Sequence, residues 1–325
     1  MVSVIVPVYQ GERIVAGAVR SVLNQTYEDL EVLVIDDGST DGTLAALASI
    51  RDPRLTILRQ ANAGTGAARN LALARARGRY IAFLDSDDRW FPEKIATEIR
   101  VLESAPVPIA IAYSSYYAVD DRGRLLNPAP NRTHAGDALD LLLDGEDFLM
   151  PSVCLFDRRI FDTLGYFKAD RYHEDYEYML RASARYPIYP TRERLVVYRQ
   201  SESGKCRRIL SDFARARDEE MAILADFEPS LTCTQNLRLR QNALRSLYCR
   251  FLMYGFDDHA RRIQPEIDLS QLRKNKKGWL AWLFAKTGIN LLASARISIQ
   301  TYYLHARQHA WHRQLAASQL DLRYD

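Results

Sequence analysis

Three carboxylates fall within four positions at Asp85, Asp87 and Asp88, in the stretch Phe83–Trp90, FLDSDDRW, directly behind an apolar run. Like charges ~5 Å apart repel by about 3 kcal/mol per pair at an effective dielectric of ~20. A folded site that gathers them therefore needs a counter-charge, unless a turn splays them into water. Hard oxygen ligands of this kind suit Mg2+ or Mn2+, which one or two carboxylates hold together with substrate phosphate oxygens. In an extended D-x-D segment Asp85 and Asp87 share a face, because the strand period is two. Asp88 then points elsewhere or caps the helix that starts near Pro92. The plain alternative is a polar turn.

Other polar groups carry weaker signals. VIDDGSTDGT reads as an Asp-Gly turn in which Thr40 or Asp41 caps the next helix, while Asp37 at a strand end could accept from a base or ribose. NAGTGAARN contains G-x-G, but a dinucleotide fingerprint should follow the first strand, and the first turn, PVYQGE, lacks the glycines. Arg69 in that stretch is either a partner for a nucleotide or a solvated helix charge. HEDYEYMLR places Glu174 and Asp175 at the start of a helix, equally compatible with a charged amphipathic surface. His305, His309 and His312 recur at helical spacing without acid or cysteine ligands nearby, which favours an ordinary helix face over a metal site. No GxSxG nucleophile elbow occurs.

The elements that must position these groups alternate along the first part of the chain. Strands are expected at Val2–Val8, Glu31–Ile35, Leu55–Leu58 and Tyr80–Leu84, and helices at Ile14–Leu23, Thr40–Ile50 and Gly66–Ala76. Such a series implies parallel strands with right-handed crossovers, a doubly wound α/β sheet whose ligands sit beyond the carboxyl ends of the strands. Those ends carry Pro7-Val8-Tyr9, Asp36-Asp37-Gly38 and the acidic stretch, so its position favours the metal reading. A helix after Pro92, a strand in VPIAIAYSSYYAV, a hairpin or mobile loop over Asp120–Ala135 and a short helix around Ala138–Leu143 follow. From about Lys205 to Asp325 the chain reads as Arg-rich helices.

Composition bounds the function. With 325 residues the chain is long enough for about two domains, and 44 Lys and Arg against 41 Asp and Glu give a net charge of +3, too balanced to argue for nucleic acid. Cys154, Cys206, Cys233 and Cys249 form no CxxC pair, which fits a reducing, cytoplasmic setting. The N-terminus reads as a strand rather than a signal peptide, and GWLAWLFAKTGINLLASARISI is interrupted by polar residues, so no membrane span is expected.

Taken together, VSVIVPVYQGERIVAGAVRSVLNQTYEDLEVLVIDDGSTDGT, NAGTGAARNLALARARGRYIAFLDSDDRWFPEKI, MPSVCLFDRRIFDTLGYF and HEDYEYMLR resemble the family 2 glycosyltransferases of the GT-A fold. The resemblance covers roughly residues 2–204. It implies an inverting enzyme that moves a sugar from a nucleotide diphosphate donor, here a UDP-sugar, to an acceptor hydroxyl in polysaccharide or glycoconjugate synthesis. It implies a catalytic domain over 1–204, with a nucleotide-sugar half to about 105 and an acceptor half from 106, and a helical region over 205–325. By the same resemblance Pro7, Val8 and Tyr9 border the base and Asp37 accepts from it. Glu12, Asn62 and Arg69 complete the nucleotide pocket, Asp85 faces the ribose or the metal-bound water shell, and Ser86 belongs to the nucleotide-sugar site. Asp87 is the ligand of Mn2+ or Mg2+, Asp175 the general base, and Asp88 and Glu174 support them.

One departure stands out. Many family members carry Y-R-x-H after the base helix, and here the segment is VYRQSESGK, with Ser201 at the His position. Gln200, Ser201 or Lys205 would substitute, or the diphosphate is held differently. A nucleotidyltransferase would need a Gly-rich basic loop after the first strand, which PVYQGERI does not supply; a degenerate nucleotide-sugar-binding or scaffold module is the other alternative. RKNKKGWLAWLFAKTGINLL joins a basic cluster to Trp279, Trp282, Leu283 and Phe284, as helices at a membrane surface do. Peripheral contact with the inner membrane face, toward a glycan or lipid-linked glycan acceptor, is weighed against packing on the catalytic domain.

Overall fold

The structure is a computed structural model that describes residues 1–128, 131–143, 149–170, 173–201, 210–227, 232–253, 256–268 and 314–315. Lys205, Trp279, Trp282, Leu283, Phe284 and the three C-terminal histidines singled out above lie outside the described residues.

The chain divides into two compact units. The first, made of 1–139, 148–200 and 307–325, is built on one nine-stranded sheet. Its strands are β1 (Val2–Val8), β2 (Leu30–Asp36), β3 (Leu55–Arg59), β4 (Tyr80–Phe83), β5 (Arg89–Trp90), β6 (Ile111–Val119), β7 (Leu125–Pro128), β8 (Cys154–Asp157) and β9 (Ile188–Arg199). They lie in the order β3-β2-β1-β4-β8-β6-β9-β5, with β7 paired to β6. β1–β4, β6 and β9 run one way and β5, β7 and β8 the other, so the sheet is mixed and mostly parallel.

Every residue of β1 and β2 is buried, as expected of continuous β-branched runs covered on both faces. Helices α1 (Val15–Leu23), α2 (Thr43–Ala48) and α3 (Thr65–Leu73) provide the crossovers. Val15, Ala18, Val19 and Val22 of α1 recur at helical spacing and are buried. Chain direction reverses after β3: β2 and β3 add on one side of β1, and β4 returns to the other side. Right-handed crossovers then place α1 and α2 on one face and α3 on the opposite one, and open a crevice at the carboxyl ends of β1 and β4.

Beyond β4 come α4 (Lys94–Ser104), α6 (Arg159–Leu164) and α7 (Glu174–Ser183) of this unit, while α5 (Leu139–Leu143) falls almost wholly within the second. β6 and β7 form a hairpin, turned where the Gly123 amide donates to the Asp120 carbonyl at 2.9 Å, inside the Asp120–Ala135 stretch that reads as a hairpin or mobile loop. The second unit, 140–147 with 201–306, contains α8 (Phe213–Phe227), α9 (Cys233–Met253) and α10 (Asp257–Ile263). Its core includes Tyr248, Phe251 and Leu252. Cys154 is a buried free thiol, and no described helix is long and apolar enough to cross a membrane.

Candidate active site

The acidic stretch leaves β4 at Leu84, whose amide still donates to the Ile5 carbonyl of β1 at 2.9 Å. Asp85–Asp88 then close a turn, with the Asp88 amide donating to the Asp85 carbonyl at 3.0 Å. This corrects the extended D-x-D expectation, since the chain folds back to pair β5 with β9. Ser152, in a 3-10 turn at Pro151–Val153, anchors the acidic turn from outside. Its hydroxyl accepts the Asp85 amide at 3.1 Å, while its carbonyl accepts the Trp90 indole at 2.8 Å.

Asp88 is fully buried and its Oδ1 accepts the Arg199 amide at 3.0 Å. It does not cap α4: Glu93 sits at that position and makes no side-chain cap. Among the described residues its Oδ2 has no hydrogen-bond partner, and burial, with Asp87 and Asp85 alongside, holds its carboxyl well above the usual range. Asp87 is half-buried, and burial followed by the charge of Asp85 pushes its carboxyl up to about 6, against the pull of Arg199 and Arg89. Ser86 between them is half-buried.

Arg69 joins this turn to α7. Its side chain is 2% exposed, with Nη2 2.7 Å from Asp85 Oδ1 and Nη1 3.2 Å from Glu174 Oε1. Burial alone would weaken its hold on the proton; the charges of Asp85, Glu174 and Asp175 outweigh that and keep it above the usual arginine value. The Phe83 and Phe167 rings lie 5.8 and 5.4 Å from its guanidinium carbon. Arg69 is thus neither a solvated helix charge nor a free donor, because both ends of its fork are engaged. Asp175, next to Glu174, is half-buried and accepts the Tyr176 amide at 2.8 Å. Three acids, Glu174, Asp175 and Glu177, occupy the first turn of α7, where the helix dipole favours negative charge.

The residues expected around a base lie at the neighbouring strand ends. Pro7 and Val8 are buried, and Tyr9 is 52% exposed. Asp37 is turned inward: its Oδ1 accepts from Gln60 Nε2 at 2.7 Å and the Ala63 amide at 2.9 Å, and its Oδ2 accepts the Gly64 amide at 2.9 Å. Asn62 is exposed, and its amide packs so close to Gly38 that a Cβ there would sit 2.8 Å away, at a φ of +81° that favours glycine. Glu12 accepts the Gly42 amide at 2.8 Å, and Asp41 takes the Glu12 and Thr43 amides at 3.2 and 3.1 Å. Arg69, Asp85 and Glu174 therefore meet directly, Asp87 and Asp88 share their turn, and Glu12 and Asp37 brace the loops beside it. Ser152, Arg199 and Arg89, whose guanidinium donates to the carbonyls of Asp88 at 2.7 Å and Ile14 at 3.0 Å, had no sequence signal beyond lying near quoted motifs.

The donor set fits a hard divalent cation. No three His, Cys, Asp or Glu side chains among the described residues converge as a ready-made metal site. One or two carboxylates suffice for an ion that takes its other ligands from phosphates and water, and Asp87 makes no ion pair among the described residues.

Residues 3–165 match the family model described as glycosyl transferase family 2. Over 122 residues, 37% of this chain and 48% of the relative, the sequence is 40% identical to the UDP-Glc:alpha-D-GlcNAc-diphosphoundecaprenol beta-1,3-glucosyltransferase WfaP of Escherichia coli. The fold is like that of S. aureus TarS 1–349, at a TM-score of 0.59 and 18% identity over 95% of this chain and 91% of that one. TarS has also been solved with UDP-GlcNAc. The mannosyltransferase PcManGT of Pyrobaculum calidifontis, in complex with GDP-Man and Mn2+, matches at a TM-score of 0.53 and 18% identity, over 97% of this chain and 84% of that one. The chain spans a quarter to a half of the first curated relatives it matches, 25% of one from Rickettsia conorii and 48% of WfaP.

Proposed function

Since the chain belongs to glycosyl transferase family 2, we propose that it is an inverting, metal-dependent glycosyltransferase that moves a sugar from a UDP-sugar to an acceptor hydroxyl. The observation that carries this reading is the Arg69 bridge, which holds the acidic turn and the first turn of α7 at one edge of the sheet. Inversion needs a single in-line displacement at the anomeric carbon, so one carboxylate suffices to take the acceptor proton. Asp175 is that base, half-exposed on a helix fixed through Glu174.

Asp87 would hold Mn2+ or Mg2+, which would supply positive charge to offset that on the departing diphosphate. Asp85 and Ser86 line the ribose and diphosphate side. Tyr9 offers an exposed ring to the base beside the buried Pro7 and Val8. Asp37, Glu12 and Asn62 shape the pocket through the loops they brace. The uridine preference draws support from the UDP-glucose in the name of WfaP and from the UDP-GlcNAc complex of TarS. The lipid-linked diphosphate in the name of WfaP supports a lipid-linked glycan acceptor met at the inner membrane face. Residues 1–204 form the catalytic domain.

A thermal-shift screen with UDP-, GDP- and dTDP-sugars plus Mn2+ tests the reading. Selective stabilisation by a UDP-sugar, followed by Mn2+-dependent donor hydrolysis, is the expected result. Stabilisation without hydrolysis would instead favour a nucleotide-sugar-binding module, the reading that the Ser201 departure supports; no stabilisation by any donor would sink both.

A further inference from the structure

α3 touches the segment before the base helix at three successive points. A Cβ at Gly66 would lie 3.1 Å from Ala169 Cα and 3.2 Å from Glu174 Cγ, so the start of α3 rests flush on that segment. One turn on, Arg69 reaches Glu174. Beside it, the Asn70 carboxamide clasps the backbone of Phe167 from both sides, its Nδ2 donating to the carbonyl at 2.8 Å and its Oδ1 accepting the amide at 3.0 Å. From the other side Arg181 of α7 donates to the carbonyls of Leu164 at 2.8 Å and Tyr166 at 2.9 Å. Residues 164–169 are thus held between α3 and α7, with Asn70 bonding their backbone directly from α3.

We propose that Asn70 is a positioning residue: its two bonds to Phe167 set where α7 begins, and so fix Asp175 relative to the acidic turn that Arg69 grips. The inference rests on the assignment of Asp175 as the base. The two α3 side chains divide the task. Arg69 contacts Asp85 directly and so affects the donor side as well as the base side, whereas the Asn70 side chain hydrogen-bonds to Phe167, in the segment that carries the base. An in-line displacement tolerates little misplacement of the proton acceptor, and about 1 Å of error costs on the order of 10²-fold. The donor pocket at the other strand ends is untouched by the same change.

The test uses the full-length protein and the donor chosen by the thermal-shift screen, with Mn2+ present. Asn70→Ala is expected to lower kcat for donor turnover by about 10- to 100-fold while KM and the Kd for the nucleotide with Mn2+ stay within about 2-fold. In an Asp175→Asn background the same change should add less than about 2-fold, because a misplaced base that is already gone has nothing more to lose. Asn70→Asp keeps the volume and the acceptor for the Phe167 amide, so it serves if Asn70→Ala does not fold, with a smaller loss of the same kind. An unchanged kcat, an equal loss in both backgrounds, or a parallel loss of donor affinity would overturn the proposal. If Asp175→Asn itself turns over at the wild-type rate, the base assignment fails and takes the clasp with it. A slow Asp175→Asn beside an unaffected Asn70→Ala refutes the clasp alone.

Discussion

Replacing Asp87 by asparagine should stabilise the metal-free protein at neutral pH. Burial, then the charge of Asp85, push the Asp87 carboxyl from 3.8 up to about 6. A raised folded-state pKa means that the folded protein binds this proton more tightly than the unfolded chain does. Stability is therefore lost as pH climbs from about 4, and the loss is complete somewhat above about 6. A shift of about two units corresponds to ~3 kcal/mol, or roughly 6–12 °C in Tm for a unit of this size. Asparagine carries no charge to lose, and its neutrality also removes one of the charges that raise Asp88. Thermal unfolding in the presence of EDTA, from about pH 4.5 to about pH 7.5, reads the effect directly. Wild type and Asp87→Asn should lie closest at the acid end and draw apart as pH rises toward about 6, with the variant higher and the gap nearly constant above that. Mn2+ should then raise the Tm of the wild type and leave that of the variant unchanged. The reasoning fails if Asp87→Asn is less stable than wild type near neutral pH without metal, or if the difference does not depend on pH.

Asp175→Asn should slow donor turnover by ~10²–10⁴-fold at unchanged nucleotide affinity, measured by UDP release and calorimetry; wild-type turnover would remove Asp175 as the base. Gly38→Ala should cost at least ~1 kcal/mol in urea unfolding, because alanine resists a φ of +81° and its Cβ would meet the Asn62 amide at 2.8 Å. Wild-type stability there would mean that the loop yields. Lys94 and Glu98 form a fully buried pair at 2.6 Å, with Ser114 Oγ 2.7 Å from the second carboxylate oxygen. Lys94→Met should therefore cost about 3–5 kcal/mol, and Lys94→Met with Glu98→Leu should recover most of it. A double variant no more stable than the single one would argue against an uncompensated buried charge as the cause.

The four leading strands and their helices were legible because each is a local pattern, a β-branched run or a 3.6-residue stripe bounded by turn residues. β8, β9 and β5 were not. β5 is two residues long, β8 is four, and β9 contains Pro190 and an Arg192 at φ +62°; pairing with distant partners holds them in place. The acidic turn, Glu174 and Asp175 stood out by their motifs. What joins them did not, since Arg69 to Glu174 spans 105 positions and Asp88 to Arg199 spans 111. The sequence pattern also could not tell that Glu12 and Asp37 would spend their oxygens on backbone amides of adjoining loops.

Three guanidinium groups surround the acidic turn; Arg199 and Arg89 act on Asp87 through their charge, and Asp87 makes no ion pair among the described residues. Arg69 divides its fork between Asp85 and Glu174, Arg199 pairs with Asp121 at 2.8 Å, and Arg89 donates to two carbonyls. A lysine fixed beside Asp87 would remove the local strain and lower its pKa, but it would also satisfy the charge before any substrate arrived. Because Arg199 and Arg89 offset that charge only in part, it destabilises the metal-free protein, and a cation held there as proposed would restore the loss. A ligand that binds only the folded state adds RT ln(1 + [L]/Kd) to stability, and here that affinity should fall as Asp87 takes up its proton below about pH 6. The link between Mn2+ affinity and pH is therefore a property of the turn itself, and its midpoint should move when Asp85 is neutralised and stay put when Asp175 is.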